Sequence, residues 1–371
     1  MKIYPFWARE SAPVSTTSGP ATVAQWGWSA NSEEEAHKVA RARLHRLVDR
    51  IAELGHFPRE RQARAEYYPG TPLREEILAV LSETNGTSTC AITRNRYGAE
   101  VLNTSDILIA DVDVPELEEA VRARGRGRNR SGARAAGSSA PGSGKPGFFA
   151  RLFGFGARKQ ERLAGSAFDP APEPAHTPQP APATASLAGP APDPAAIPGL
   201  ITETAPVRQY MIEAELIAFD RIEHFARLNA AWPIFVYRTF KGFRVIVAVE
   251  GIAADSGEAQ MILNQLGSDP LYMRLCRVYE SYRARLTAKP WRVGMAAPAV
   301  RWPEYDASSA LCDPVAREKM QRWLEQYDDA RAGHATTRFL AAFGPAPTGR
   351  AAQVVELHAR VTGAESGLPL A

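Results

Sequence analysis

Most of the features that announce a chemistry are missing from this chain. It holds only three cysteines, Cys90, Cys276 and Cys312, far apart, odd in number and without C-x-x-C spacing. That argues against a disulfide framework or a zinc site and suits a reducing compartment. There is no G-x-S-x-G, no P-loop and no G-x-G-x-x-G behind a strand, so serine-hydrolase, P-loop and Rossmann chemistries find no support. No run approaches the roughly 20 apolar residues that span a bilayer, and the first ten residues lack the apolar stretch of a signal peptide. The expectation is a soluble, cytoplasmic protein. Charge of one sign is not in excess either: a net +3 is too small to imply a partner.

What remains is a globular chain with something added. Its 371 residues, 45% apolar, suffice for one large domain or two ordinary ones with a real core. The 28 Gly and 29 Pro crowd into the middle. From about Arg122 to Pro206 the sequence runs through Arg124-Gly125-Arg126-Gly127-Arg128-Asn129-Arg130, then Gly/Ser, then a Pro-Ala tract. Such a segment buries too little apolar surface to offset its ordering entropy, so a disordered insert is expected. One basic-aromatic island interrupts it: Phe148 to Phe155, followed by Arg158 and Lys159. It suits contact with an anionic membrane, nucleic acid or a partner's groove, against the plainer reading of an apolar spot in a linker.

On either side the patterning is regular. Ser32-Glu33-Glu34-Glu35 is a capping box, and Ala36, Ala40, Leu44, Leu47, Val48, Ile51 and Leu54 recur at helical spacing until Gly55 stops the helix. Two short strands, Cys90 to Thr93 and Ala99 to Leu102, flank the turn-prone Asn95 to Gly98 and predict a meander that continues into a third strand ending at Asp113. Pro115 and the glutamates after it suit a helix start. Beyond the insert, alternating apolar positions fill Gln209 to Phe219, and a helix is expected from Asp220 to Ala230. A hairpin follows, Pro233 to Arg238 and Phe243 to Val249, and Ser256 caps a further helix. Helices are also expected over Pro270 to Tyr282, Pro314 to Tyr327 and Thr336 to Phe343.

The chemistry-bearing stretch is Ile107-Leu108-Ile109-Ala110-Asp111-Val112-Asp113. Alternate strand residues point to one face, so Asp111 and Asp113 present their oxygens side by side and repel unless a cation or a base neutralises them. Hard oxygen ligands favour Mg2+ or Mn2+. Three further pieces bear on this pair: the hairpin Tyr237-Arg238-Thr239-Phe240-Lys241-Gly242-Phe243-Arg244, the turn Gly267-Ser268-Asp269-Pro270, and the basic run Arg283 to Arg292. The competing reading of that run is a solvated edge strand.

In order and spacing these pieces resemble the catalytic core of archaeo-eukaryotic primases, primase-polymerases and the polymerase domain of bacterial end-joining ligases. Those proteins use an apolar strand ending in D-x-D, a hairpin with a Ser/Thr turn, a Gly and a His, and a later third acid followed by a basic segment. The resemblance covers Cys90 to Trp291 without the insert, at the level of pattern. It implies an α+β fold with a mixed or antiparallel central sheet and flanking helices. Residues 1–122 and 207–305 would form its halves, 123–206 the insert, and 306–371 a helical extension.

The resemblance further implies that Asp111 and Asp113 bind the metal and act with Asp269 in catalysis. Thr239, Lys241 and Arg244 would face a nucleotide's phosphates, as would Arg283, Arg285, Lys289 and Arg292. The implied reaction is two-metal nucleotidyl transfer on nucleotides and nucleic acid. The sequence departs at one position, where Arg244 stands in place of the family's His. Arginine binds phosphate bidentately but does not shuttle protons near neutral pH. The alternatives are an inactive nucleotide- or nucleic-acid-binding module of the same fold, and an adaptor that recruits a partner through its insert.

Overall fold

The computed structural model describes residues 1–57, 71–84, 87–105, 107–114 and 204–371. The Pro115 helix start, the insert and the Phe148–Phe155 island lie outside the described residues. The chain opens with the hairpin β1 (Phe6–Thr16) and β2 (Gly19–Ser29) and the helix α1 (Glu33–Leu54). Strands β3 (Glu76–Thr84), β4 (Thr87–Arg94), β5 (Glu100–Thr104) and β6 (Leu108–Asp113) precede the insert. After it come α2 (Ala205–Arg208), α3 (Glu213–Leu228), β7 (Ile234–Thr239), β8 (Gly242–Val247), α4 (Gly257–Leu266), α5 (Pro270–Tyr279) and β9 (Tyr282–Arg285). A 3-10 turn at Pro290–Arg292 leads to α6 (Pro314–Arg331), β10 (Thr337–Phe343) and α7 (Gly349–Thr362). The architecture is α+β, with every strand pairing in the three described sheets antiparallel. None of the described helices is long and apolar enough to cross a membrane.

Local signals set several boundaries as expected. Ser32 caps α1 by accepting the Glu35 N–H, and Gly55 closes it at φ 70°, a left-handed conformation that glycine adopts without a Cβ penalty. α1 lies tightly on the hairpin: a Cβ at Gly27 would fall 2.0 Å from the Ala36 carbonyl oxygen. Ser256 caps α4 through the Ala259 N–H.

Four expectations are corrected. The meander breaks after β5, because β5's second edge is taken by β9 in a sheet ordered β3-β4-β5-β9. β6 crosses instead to a second sheet, ordered β10-β7-β8-β6. Its run Leu108-Ile109-Ala110 is buried on both faces, a pattern that needs cover above and below. The alternation over Gln209 to Phe219 is not extended structure: Glu215, Phe219, Ile222, Phe225 and Ala226 form one buried stripe at helical spacing, and α3 starts at Glu213. The helix expected to reach Tyr282 ends at Tyr279, because Glu280 turns left-handed at φ 51° and releases Tyr282 to β9.

The fourth correction is the largest. Thr336 to Phe343 is no helix, since Thr337–Phe343 forms β10 and pairs along β7. Helix-forming Leu and Ala residues are overridden there by an open sheet edge and a buried berth. The C-terminal part is therefore built into the central sheet. Ala351, Val354 and Val355 of α7 join the same core as Leu108, Phe243 and Phe219.

Candidate functional site

β6 is the edge strand of its sheet, and the turn between α4 and α5 covers that edge. Asp111 spends its backbone groups there: its carbonyl accepts from the Asp269 N–H at 2.9 Å and the Ser268 hydroxyl at 3.0 Å, and its N–H donates to Ser268 Oγ at 3.3 Å. Tyr272 donates from its hydroxyl to the Ile109 carbonyl at 2.7 Å. Asp111 and Arg244 are therefore a non-hydrogen-bonded cross-strand pair, the class in which facing side chains stand closest. On the other side β6 approaches β8 so tightly that a Cβ at Gly242 would sit 2.1 Å from the Val112 carbonyl oxygen. Only glycine fits beside the paired aspartates.

The register aligns one row across the sheet: Asp111, Arg244, Tyr237 and Phe339. Arg244 is buried at 2% exposure. Its Nη1 donates to the Arg285 carbonyl at 2.9 Å and faces His358 Nε2 at 3.2 Å, and its Nη2 lies 3.7 Å from Asp111 Oδ1. Arginine is always a donor, so His358 Nε2 accepts and Nδ1 carries the ring proton. Burial, and then the charge of Arg244, hold the His358 pKa well below the ordinary histidine value, which keeps the ring neutral. His358 comes from α7 and packs on Tyr237 with ring centroids 4.6 Å apart. Nothing local to α7 in the sequence marks its role.

Around the mouth, charges of each sign crowd together. The Asp113 carboxylate is solvent-accessible but ringed by protein, and partial desolvation, followed by the negative charge of Asp111, raises its pKa. Asp269 adds to that repulsion, while Lys241 and Lys289 oppose it. On the basic side, burial and the positive charges of Arg285, Arg292 and Lys241 bring the Lys289 pKa down to about 8. Arg292 lies over the Phe240 ring at 4.2 Å, which ties the 3-10 turn to the β7–β8 turn carrying Lys241.

The expected site residues thus divide. Asp111, Asp113, Asp269, Lys241, Arg244, Arg285, Lys289 and Arg292 come to one region. Thr239 has a turn role, its hydroxyl accepting from the Lys241 N–H at 3.4 Å. Asp269 caps α5, accepting from the Tyr272 N–H at 2.8 Å, while its charge still reaches Asp113. Arg283 is drawn into the β3-β4-β5-β9 sheet, where it donates to both Glu75 oxygens at 2.8 and 2.9 Å and to Asn103 at 2.6 Å. That buried network also holds Thr93 and accounts for Arg283 without a phosphate.

Among the described residues no three His, Cys, Asp or Glu side chains gather closely enough to cage a metal ion. Mg2+ needs no such cage, since it is held through one or two carboxylates together with waters and substrate phosphates. Asp111 and Asp113, repelling one another at a water-accessible mouth, fit that donor set. Comparison with protein-family models, with curated proteins and with solved structures finds no match.

Proposed function

We propose that this chain is a metal-dependent nucleotidyltransferase of primase-polymerase type, acting on nucleotides and nucleic acid. The observation that carries the reading is the pairing of two like-charged clusters. Asp113, its proton affinity raised by burial and then by the charge of Asp111, stands beside Lys289, its proton affinity lowered by burial and then by the charges of Arg285, Arg292 and Lys241. Each cluster is unfavourable alone, and a divalent cation bound to a polyphosphate relieves both.

In that reading Asp111 and Asp113 hold Mg2+ or Mn2+, which when bound neutralises phosphate charge and activates an attacking hydroxyl. Lys289 and Lys241 receive phosphate oxygens, with Arg285 and Arg292 adding positive potential at the same wall. Arg244, locked by His358 and the Arg285 carbonyl, holds the Asp111 carboxylate in place. The β6–β8 contact at Gly242 keeps the two aspartates at a fixed depth beside Lys241.

A second reading, a nucleotide- or nucleic-acid-binding module without turnover, is favoured by one observation. Arg244 fills the family's His position and its guanidinium is enclosed by protein partners, which leaves no proton carrier at that place. The test is manganese-dependent incorporation of labelled nucleotide on a primed template, run beside a nucleotide-binding titration. Wild-type incorporation that Asp111→Ala abolishes by a hundredfold or more supports turnover. Metal-dependent binding without incorporation supports the module, and absence of both overturns the site.

A further inference from the structure

We propose that the cavity between the β7–β10 end of the central sheet and the last two turns of α7 is a binding site for a small organic cation, an amine carrying an aromatic or branched apolar body. It measures about 400 Å³, within the range of small-molecule sites. Phe235 and Tyr237 stand two apart on one face of β7, and Phe339 meets Tyr237 with ring centroids 5.8 Å apart, so the wall is largely aromatic. Glu356 and Arg360 on α7 and Glu365 just beyond it supply the charged part of the lining. The site is separate from the aspartate mouth, because β8 lies between β6 and β7 and neither Asp111 nor Asp113 lines the cavity.

A guest is called for by an unsatisfied hydroxyl. Tyr237 is 1% exposed and its hydroxyl has no hydrogen-bond partner among the described residues. The two other tyrosines as deeply buried each have one: Tyr282 donates to the Ile252 carbonyl at 2.9 Å and Tyr327 to the Thr287 hydroxyl at 3.0 Å. A buried polar group left alone costs free energy that a ligand reaching it recovers. The sign of the guest's charge follows from the lining. Glu356 and Glu365 outnumber Arg360, and neither glutamate has an ion-pair partner among the described residues. Arg338, next to Phe339 on β10, is engaged by the Leu368 carbonyl at 2.9 Å. The Glu365 charge reaches the hydroxyl, since after burial it is the next cause of the raised Tyr237 pKa. The C-terminal end of α7 adds the negative pole of its dipole, and aromatic rings attract a cation through their negative faces. An anion would meet two carboxylates and that helix end; a neutral guest of the same shape would leave the carboxylates unpaired.

The probes are phenethylammonium, its neutral analogue 2-phenylethanol and the anion 3-phenylpropionate, titrated against the full-length chain by isothermal titration calorimetry, with the thermal unfolding midpoint recorded in parallel. The expected result is one phenethylammonium per chain, bound about tenfold more tightly than the alcohol, no measurable uptake of the anion, and a rise of a few degrees in the midpoint at saturation. Glu365→Gln weakens amine binding about tenfold and Tyr237→Phe about fivefold, while Asp113→Asn leaves it in place. Equal affinity for amine and alcohol, preference for the anion, or amine binding unchanged in Glu365→Gln and Tyr237→Phe overturns the proposal. Loss of binding in Asp113→Asn does so as well, because it moves the amine to the aspartate mouth.

Discussion

At the scale of single residues, the site depends on an arginine that the fold encloses. Arg244 links Asp111 on one strand to a backbone carbonyl of another sheet and to a histidine more than a hundred positions away. Arg244→Ala leaves the Arg285 carbonyl and His358 Nε2 without their donor in a dry interior and should cost about 3 kcal/mol in urea unfolding. Asp113→Asn, at the open mouth, should stay within about 0.5 kcal/mol of wild type in the same measurement, because it removes a repelling charge from an exposed position. Lys289 makes a second test at this scale. Its pKa of about 8 means that it is charged below that pH and neutral above it. Polyphosphate selects the charged form, so nucleotide affinity should fall as pH rises through about 8, with protons taken up on binding in that window. Lys289→Arg should flatten the pH profile in isothermal titration calorimetry, since arginine stays charged throughout.

At the scale of elements, the decisive contact is between β6 and β8. Gly242→Ala forces a methyl into the Val112 carbonyl and so pries the aspartate strand from its partner. A loss of about 2–4 kcal/mol is expected, with metal-dependent nucleotide binding weakened in parallel. Gly257→Ala is the control, because a Cβ there meets nothing within 4 Å at the first turn of α4. It should leave stability unchanged or raise it by up to about 1 kcal/mol. The helices α1 and α4 are legible in the sequence because their caps and apolar spacing are local signals. β10 and the start of α3 are not. Their residues allow either structure, and the choice falls to a neighbour: the open edge of β7 for Thr337–Phe343, and the buried stripe facing the sheet for Glu213–Leu228. The hairpin β1–β2 has no counterpart in the sequence reading, because the packing of Val14 and Val23 against Leu44, Leu47 and Ile51 of α1 is made only in the fold.

At the scale of the whole molecule, the C-terminal part closes the site. β10 extends the sheet that carries the aspartates, and α7 delivers His358 to Arg244 and apolar side chains to the common core. A chain ending at Phe343 should therefore lose its cooperative thermal transition in far-UV circular dichroism. An independent appendage would leave that transition in place, since its removal strips no core contact.

The sequence by itself determined the D-x-D strand, the hairpin facing it, the helix caps and the acidic turn before α5, because each is written in neighbouring residues at a fixed spacing. Only the tertiary structure decided which basic residues serve the mouth. Arg283 and Arg285 lie two residues apart on one strand, yet Glu75, reached from far upstream, takes the first into an internal network while the second stays beside Lys289. His358 acquired its place in the same way. Strand period and helix caps act over a few residues, whereas the partner of a buried charge is chosen by whatever the folded chain brings within hydrogen-bond reach.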